Sequence, residues 1–135
     1  MITVEVVVNR GVGKVWKDWT AAESVKKWNH ASDDWECPKA TNELATGGEF
    51  SYIMAAKDGS RSFDFNGVYT AVKLYKLIEY EMEGGRKVSI VFNPIDKEST
   101  KVTQTFETET EYPEEKQREG WQAIMDNFKK YCEES

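Results

Sequence analysis

The sequence predicts an α+β fold: a curved antiparallel sheet wrapped around one long C-terminal helix, with two short helices after the first strand. Three observations carry this. Phe50-Ser51-Tyr52-Ile53-Met54 and, after a turn, Phe63-Asp64-Phe65-Asn66-Gly67-Val68-Tyr69 set aromatic side chains on one side of a hairpin and polar ones on the other, because strand side chains alternate faces. Five strands follow one another through turns too short for crossovers, which makes them antiparallel. One amphipathic helix, at 113–132, is available to cover the aromatic face, and a one-sided sheet must bury that face against something.

Residues 2–9 are valine-rich and alternate loosely, as a strand does. Residues 10–13 form a turn. Val15, Trp16 and Trp19 then fall at helical intervals. Thr20, with Glu23 three residues on, forms a capping box for a second short helix; that helix carries Val25 and Trp28 and ends near Asn29. Residues 31–38 read as irregular. Trp35 in that segment is either a plug on the core edge or a lid over a pocket.

A short strand is expected at 42–46, and longer ones at 50–56, 61–73, 76–82, 87–93 and 101–110. Glu83-Gly84-Gly85-Arg86 is a tight hairpin turn, and 94–99 a looser one. In the last strand Val102, Gln104, Phe106 and Thr108 face inward. Residues 107–111, rich in Glu, read as a solvated strand end rather than a metal site, since no His or rigid carboxylate cluster joins them.

The final helix has Pro113 in its first turn and Glu114 and Glu115 near the positive end of its dipole. About 20 residues give roughly 30 Å, enough to cross a sheet. Gln117, Trp121, Ile124, Met125 and Phe128 form the face turned to the sheet. Gly120 costs about 1 kcal/mol relative to Ala in mid-helix, which a close approach of helix and sheet would explain.

The 135 residues suit a single domain, 1–135, with no linker or repeat. With 39% hydrophobic and 31% charged residues the chain is neither disordered nor membrane-spanning in composition. The start of the chain shows no basic n-region or cleavage site. Cys37 and Cys132 lack metal-like spacing and read as idle thiols in a reducing compartment; a cytoplasmic location is expected. The net charge of -6, without a basic stripe, argues against nucleic acid and anionic membranes as partners.

No nucleophile elbow, phosphate loop, dinucleotide fingerprint or zinc spacing occurs, and no metal or organic cofactor is expected. His30, Asp33, Asp34 and Glu79 are the candidates for proton transfer and read as exposed charges. Cys37 has no flanking base to activate it. More useful are Tyr52, Tyr69, Tyr80 and Gln104, all on faces assigned inward. A buried hydroxyl or amide must find a partner or cost about 1–3 kcal/mol. A filled core or a ligand pocket could each satisfy them.

In order along the chain, Val15-Trp16, Trp28, Asp34-Trp35, Gly47-Gly48-Glu49-Phe50, Phe65-Asn66-Gly67-Val68-Tyr69, Leu77-Ile78-Glu79-Tyr80 and Glu119-Gly120-Trp121 resemble the motifs of a known family. The chain resembles the START-like (SRPBCC, helix-grip) superfamily, and within it the homologues of the activator of the heat-shock-protein-90 ATPase. The resemblance implies a helix-grip fold with a cavity between sheet and C-terminal helix, often used for small lipophilic molecules. It is also the sole ground for a chaperone link.

The expected function is therefore binding of a small hydrophobic or aromatic molecule, lipid-, polyketide- or flavonoid-like, without turnover. Phe50, Tyr52, Phe65, Tyr69, Trp121 and Met125 would form the walls, Tyr80 and Gln104 the polar anchors, and Trp35 the guard of the entrance. The competing readings are a cyclase- or hydrolase-type enzyme using the same cavity and a chaperone-associated protein acting through its surface.

Overall fold

The computed structural model describes residues 1–135. Its elements run β1 (Ile2–Val8), α1 (Val12–Thr20), α2 (Ala22–Trp28), β2 (Trp35–Asn42), β3 (Glu49–Ala56), β4 (Ser62–Lys73), β5 (Leu77–Met82), β6 (Lys87–Asp96), β7 (Ser99–Phe106) and α3 (Glu114–Glu134). The strands form one seven-stranded sheet in the order β1-β7-β6-β5-β4-β3-β2, antiparallel throughout. The helices α1 and α2 carry the chain from β1 at one edge to β2 at the other. The sheet curls, and α3 lies in its concavity as the order of elements predicts.

Register follows the side-chain pattern. In β7 Thr100, Val102, Gln104 and Phe106 are buried while their neighbours are half-exposed. Opposite them, Ile2, Val4 and Val8 of β1 and Val88, Ile90 and Phe92 of β6 are buried too. A one-residue slip would turn this whole set outward. The β5–β6 turn needs two consecutive residues at positive φ, and Gly84 and Gly85 take values of 92° and 90°, which glycine adopts without steric cost.

Several boundaries differ from the expectation. Thr20 does not cap α2. It ends α1, where its hydroxyl donates back to the Trp16 carbonyl at 2.7 Å, and Ala21 precedes α2 without a side-chain cap. The first turn of α1 also takes in Val12 and Gly13, read from sequence as loop. The edge strand β2 lies at Trp35–Asn42, not at 42–46. Pro38 and the register shift between Glu36 and Lys39 disguise it, and both belong on an edge. Strand β7 stops at Phe106, so residues 107–113 are a connecting strap. Gly120 does not mark close packing, for a methyl group added there would meet nothing within 4 Å.

The two ends of the core are built differently. Toward α1 and α2 it is solid. The Phe128 ring of α3 meets Trp19 at 4.8 Å and Trp28 at 4.9 Å, and Trp16 meets Phe92 at 5.0 Å. The Trp28 indole donates to the Asp18 carbonyl at 2.8 Å, and the buried Asp18 carboxylate is paired with Lys14 at 2.9 Å. Toward the start of α3 the sheet and helix stand apart.

Candidate functional site

Between the sheet and the first half of α3 lies a cavity of about 620 Å³, lined by 22 residues of which 14 are hydrophobic. That size and predominance of apolar side chains match ordinary small-molecule sites. Its floor is Trp19 and Trp28, the top of the solid half of the core. Its sheet wall is the face that β3, β4 and β5 turn inward: Phe50, Tyr52, Met54, Phe65, Tyr69, Ile78 and Tyr80. Gly67 shapes this wall by what it lacks. A methyl group there would lie 2.9 Å from the Phe50 ring and 2.7 Å from the Glu81 carbonyl oxygen.

The helix wall is Trp121 and Ile124. Trp121 stacks on Phe106 with centroids 4.0 Å apart and planes 12° apart, and meets Phe65 edge-on at 6.1 Å. It is half-buried, because one face lies against Phe106 and the other borders the hollow. Met125 is a correction. It is wholly buried in the core and does not line the cavity. The helical rotation from Trp121 brings Ile124, three residues on, to the cavity, and carries Met125 past it into the packed interior.

Eight of the nine residues singled out from sequence thus surround one hollow: Trp35, Phe50, Tyr52, Phe65, Tyr69, Tyr80, Gln104 and Trp121. Tyr52, Tyr69 and Tyr80 cluster about the Phe50 ring, with centroids 5.1, 5.3 and 4.8 Å from it. Burial pushes all three phenols above their ordinary value of 10.0. For Tyr52 the neighbouring Tyr69 adds to the effect; for Tyr80 the Gln104 amide and the Arg86 charge oppose it without cancelling it. At neutral pH each phenol is therefore a neutral donor. Tyr69 also accepts a long hydrogen bond from the Asn42 amide at 3.5 Å.

The mouth lies where the β3–β4 turn, the β5–β6 turn and the strap before α3 meet. Trp35, half-buried at the start of β2, sits 6.0 Å from the exposed Phe63 ring, and both border the opening together with Arg61. Across from them the strap contributes Glu109, Glu111 and Tyr112. Gln117 of α3 holds the strap. Its amide accepts from the Glu109 N–H at 3.0 Å and donates to the Glu109 and Tyr112 carbonyls at 3.0 and 2.8 Å. Arg86 holds it from the sheet, with Nη2 3.3 Å from the Glu109 carboxylate and Nη1 donating to the Glu107 carbonyl at 3.4 Å.

Residues 107–111 are not a solvated strand end, and the cavity-facing Glu109 and Glu111 carry no sequence signal. Period-2 alternation carries no information once the strand has ended at Phe106. Arg61 and Arg86, polar residues beside turns, and Gln117, a polar residue in the first turn of α3, carry no sequence pattern that assigns them to the site. The only available signal was Gln117 on the apolar face of the helix.

The candidates for proton transfer lie elsewhere. His30, Asp33, Asp34 and Glu79 are not among the lining residues. His30 Nε2 is 3.0 Å from the Asn127 amide nitrogen, and its Nδ1 is buried without a partner. Burial, aided by Lys57 and opposed by Asp33, lowers its pKa from 6.5. Both thiols are free and buried. Burial raises Cys37, against hydrogen bonding that favours its thiolate, and burial with Asp18 beside it pushes Cys132 up to about 12. Such thiols are weak nucleophiles. No cluster of three or more His, Cys, Asp or Glu side chains converges as a metal site would, and no helix is long and apolar enough to cross a membrane.

A curved antiparallel sheet gripping a C-terminal helix over a hollow defines the START-like, helix-grip class. The family described as Activator of Hsp90 ATPase homolog 1-like protein matches residues 11–133, and the chain belongs to it. Among solved structures the chain is similar to the AHSA1-like protein from Aeromonas hydrophila, at 36% identity with a TM-score of 0.89 over 98% of this chain and 93% of that one. It is similar to Chr148 from Cytophaga hutchinsonii at 49% identity and a TM-score of 0.85, over 98% and 92% of the two chains. NE0264 from Nitrosomonas europaea, at 20% identity and a TM-score of 0.84 over 98% and 94%, shares the fold. No curated protein matches the chain.

Proposed function

We propose that this protein binds a small hydrophobic or aromatic molecule between the sheet and α3. The observation that carries the reading is a hollow of about 620 Å³ with mostly apolar walls, into which a few buried polar groups are directed. Apolar walls supply affinity through the surface they remove from water, and sparse polar anchors fix orientation. Phe50, Tyr52, Phe65, Tyr69 and Trp121 are the walls, Tyr80 and Gln104 the anchors, and Trp35 with Phe63 the guard of the mouth.

Binding without turnover is favoured over catalysis by where the titratable groups lie. The cavity's carboxylates, Glu109 and Glu111, sit at the mouth, and the only histidine lies outside the lining. An amide-resolved NMR titration with fatty acids and flavonoids tests the reading, with mass spectrometry to detect turnover. Shifts at Phe50, Tyr52, Tyr80 and Trp121 are expected with the ligand recovered intact. Shifts confined to the outer face of the sheet would refute it.

A further inference from the structure

Four charged residues line the cavity: Arg61, Arg86, Glu109 and Glu111. They are not equivalent. Arg61 and Glu111 are exposed at the rim, where water answers their charge. Arg86 is half-buried, its side chain 29% exposed, and it lines the cavity together with Tyr80. A guanidinium offers five N–H donors in a planar fork. Arg86 donates one to the Glu107 carbonyl and is ion-paired, at 3.3 Å, with the Glu109 carboxylate. The neutral Tyr80 O–H and the Gln104 amide, both buried, line the same cavity, so its lining offers several donors besides the guanidinium.

We propose that the ligand is an acidic amphiphile, its anionic group received by Arg86 with Tyr80 and Gln104 donating beside it, and its apolar body laid along the aromatic wall. The proposal deepens the cavity reading above and rests on it. Glu109 is then a resident counterion. It sits on an irregular strap with its side chain 33% exposed, and a partly exposed ion pair contributes little. An incoming carboxylate or sulfonate can take the same donors and add the buried Tyr80 and Gln104, where charge-assisted hydrogen bonds are stronger than at the surface. The displaced Glu109 carboxylate has only to turn outward. A cationic ligand would instead bring its charge against Arg86.

Two fluorescent probes with one skeleton test this: 8-anilinonaphthalene-1-sulfonate, an anion, and N-phenyl-1-naphthylamine, which is neutral. Arg86→Gln is expected to weaken the sulfonate about tenfold or more, the range of a charge-assisted hydrogen bond, and to leave the neutral probe within about twofold. Glu109→Gln, which frees the guanidinium, is expected to strengthen the sulfonate alone, by about threefold. Unchanged binding of the neutral probe to each variant verifies an intact cavity. Equal weakening of both probes by Arg86→Gln would make Arg86 a wall residue, and unchanged sulfonate affinity would place the anion elsewhere; either result overturns the proposal. Wild-type protein that takes up neither probe would defeat the cavity reading itself, and this proposal with it.

Discussion

Single atoms decide the shape of the hollow. Gly67 has no side chain, and so the Phe50 ring can approach its backbone more closely than a methyl group would allow. Gly67→Ala must push either the ring into the cavity or the strand away from Glu81. Overpacking of this kind costs about 1–3 kcal/mol, read as a lower urea midpoint at unchanged slope, together with weaker ligand uptake. Gly120 is the converse. It sits in mid-helix with open space where a methyl group would go, so Gly120→Ala should stabilise by about 1 kcal/mol, and a thermal midpoint that falls would show a contact the open geometry does not contain. His30 supplies a pH dependence. Its folded pKa is lowered, so the unfolded chain takes up its proton first, and the stability present above pH 6.5 is lost as pH falls through the folded value. His30→Gln should flatten the decline in stability through that window in a denaturant series.

At the scale of elements, the contact between α3 and β1 is made by side chains that finish an edge. Strand β1 pairs only with β7. Its outward carbonyls at Thr3, Glu5 and Val7 accept hydrogen bonds from Arg118 at 3.2 Å, Gln122 at 3.1 Å and Lys129 at 2.7 Å. Three polar residues on one flank of the helix thus occupy the acceptors that another strand would use, which is how sheets are kept from pairing edge to edge. The opposite edge, β2, is blunted by Pro38 and a bulge. The combined variant Arg118→Ala, Gln122→Ala, Lys129→Ala should lose only about 1–3 kcal/mol, because these bonds are exposed, yet aggregate at concentrations where the wild-type chain stays monodisperse. Light scattering that does not change would show that the capped edge is not what limits association.

Over the whole molecule, ligand and stability are linked. A compound at 100 times its Kd should raise stability by about 2.7 kcal/mol by mass action, which a thermal shift assay reads directly. What could be read from the sequence follows the same physics. The meander, the long helix and the inward set Phe50, Tyr52, Phe65, Tyr69, Tyr80 and Gln104 were legible because one buried face imposes period 2 on a strand and 3.6 on a helix. The β2 strand was not legible, since Pro38 and a bulge break the alternation. Nor was the helix phase that separates Met125 from Ile124, because both are apolar and only packing tells the cavity side from the core side. At the mouth only Trp35 was legible. Arg61, Arg86, Glu109 and Glu111 come from three loops that tertiary structure alone brings together.

The place of β1 has a consequence for synthesis on the ribosome. Its neighbours are β7 and α3, the last two elements of the chain, and Ile2 pairs with Phe106. At roughly 5–20 residues per second, this valine-rich strand waits about 5–20 s after leaving the exit tunnel before either partner exists. Throughout that interval both of its sides are open to other nascent chains, with Glu5 the one charge that interrupts the apolar run. Translation pauses near the β6–β7 turn lengthen the exposure; a faster finish shortens it.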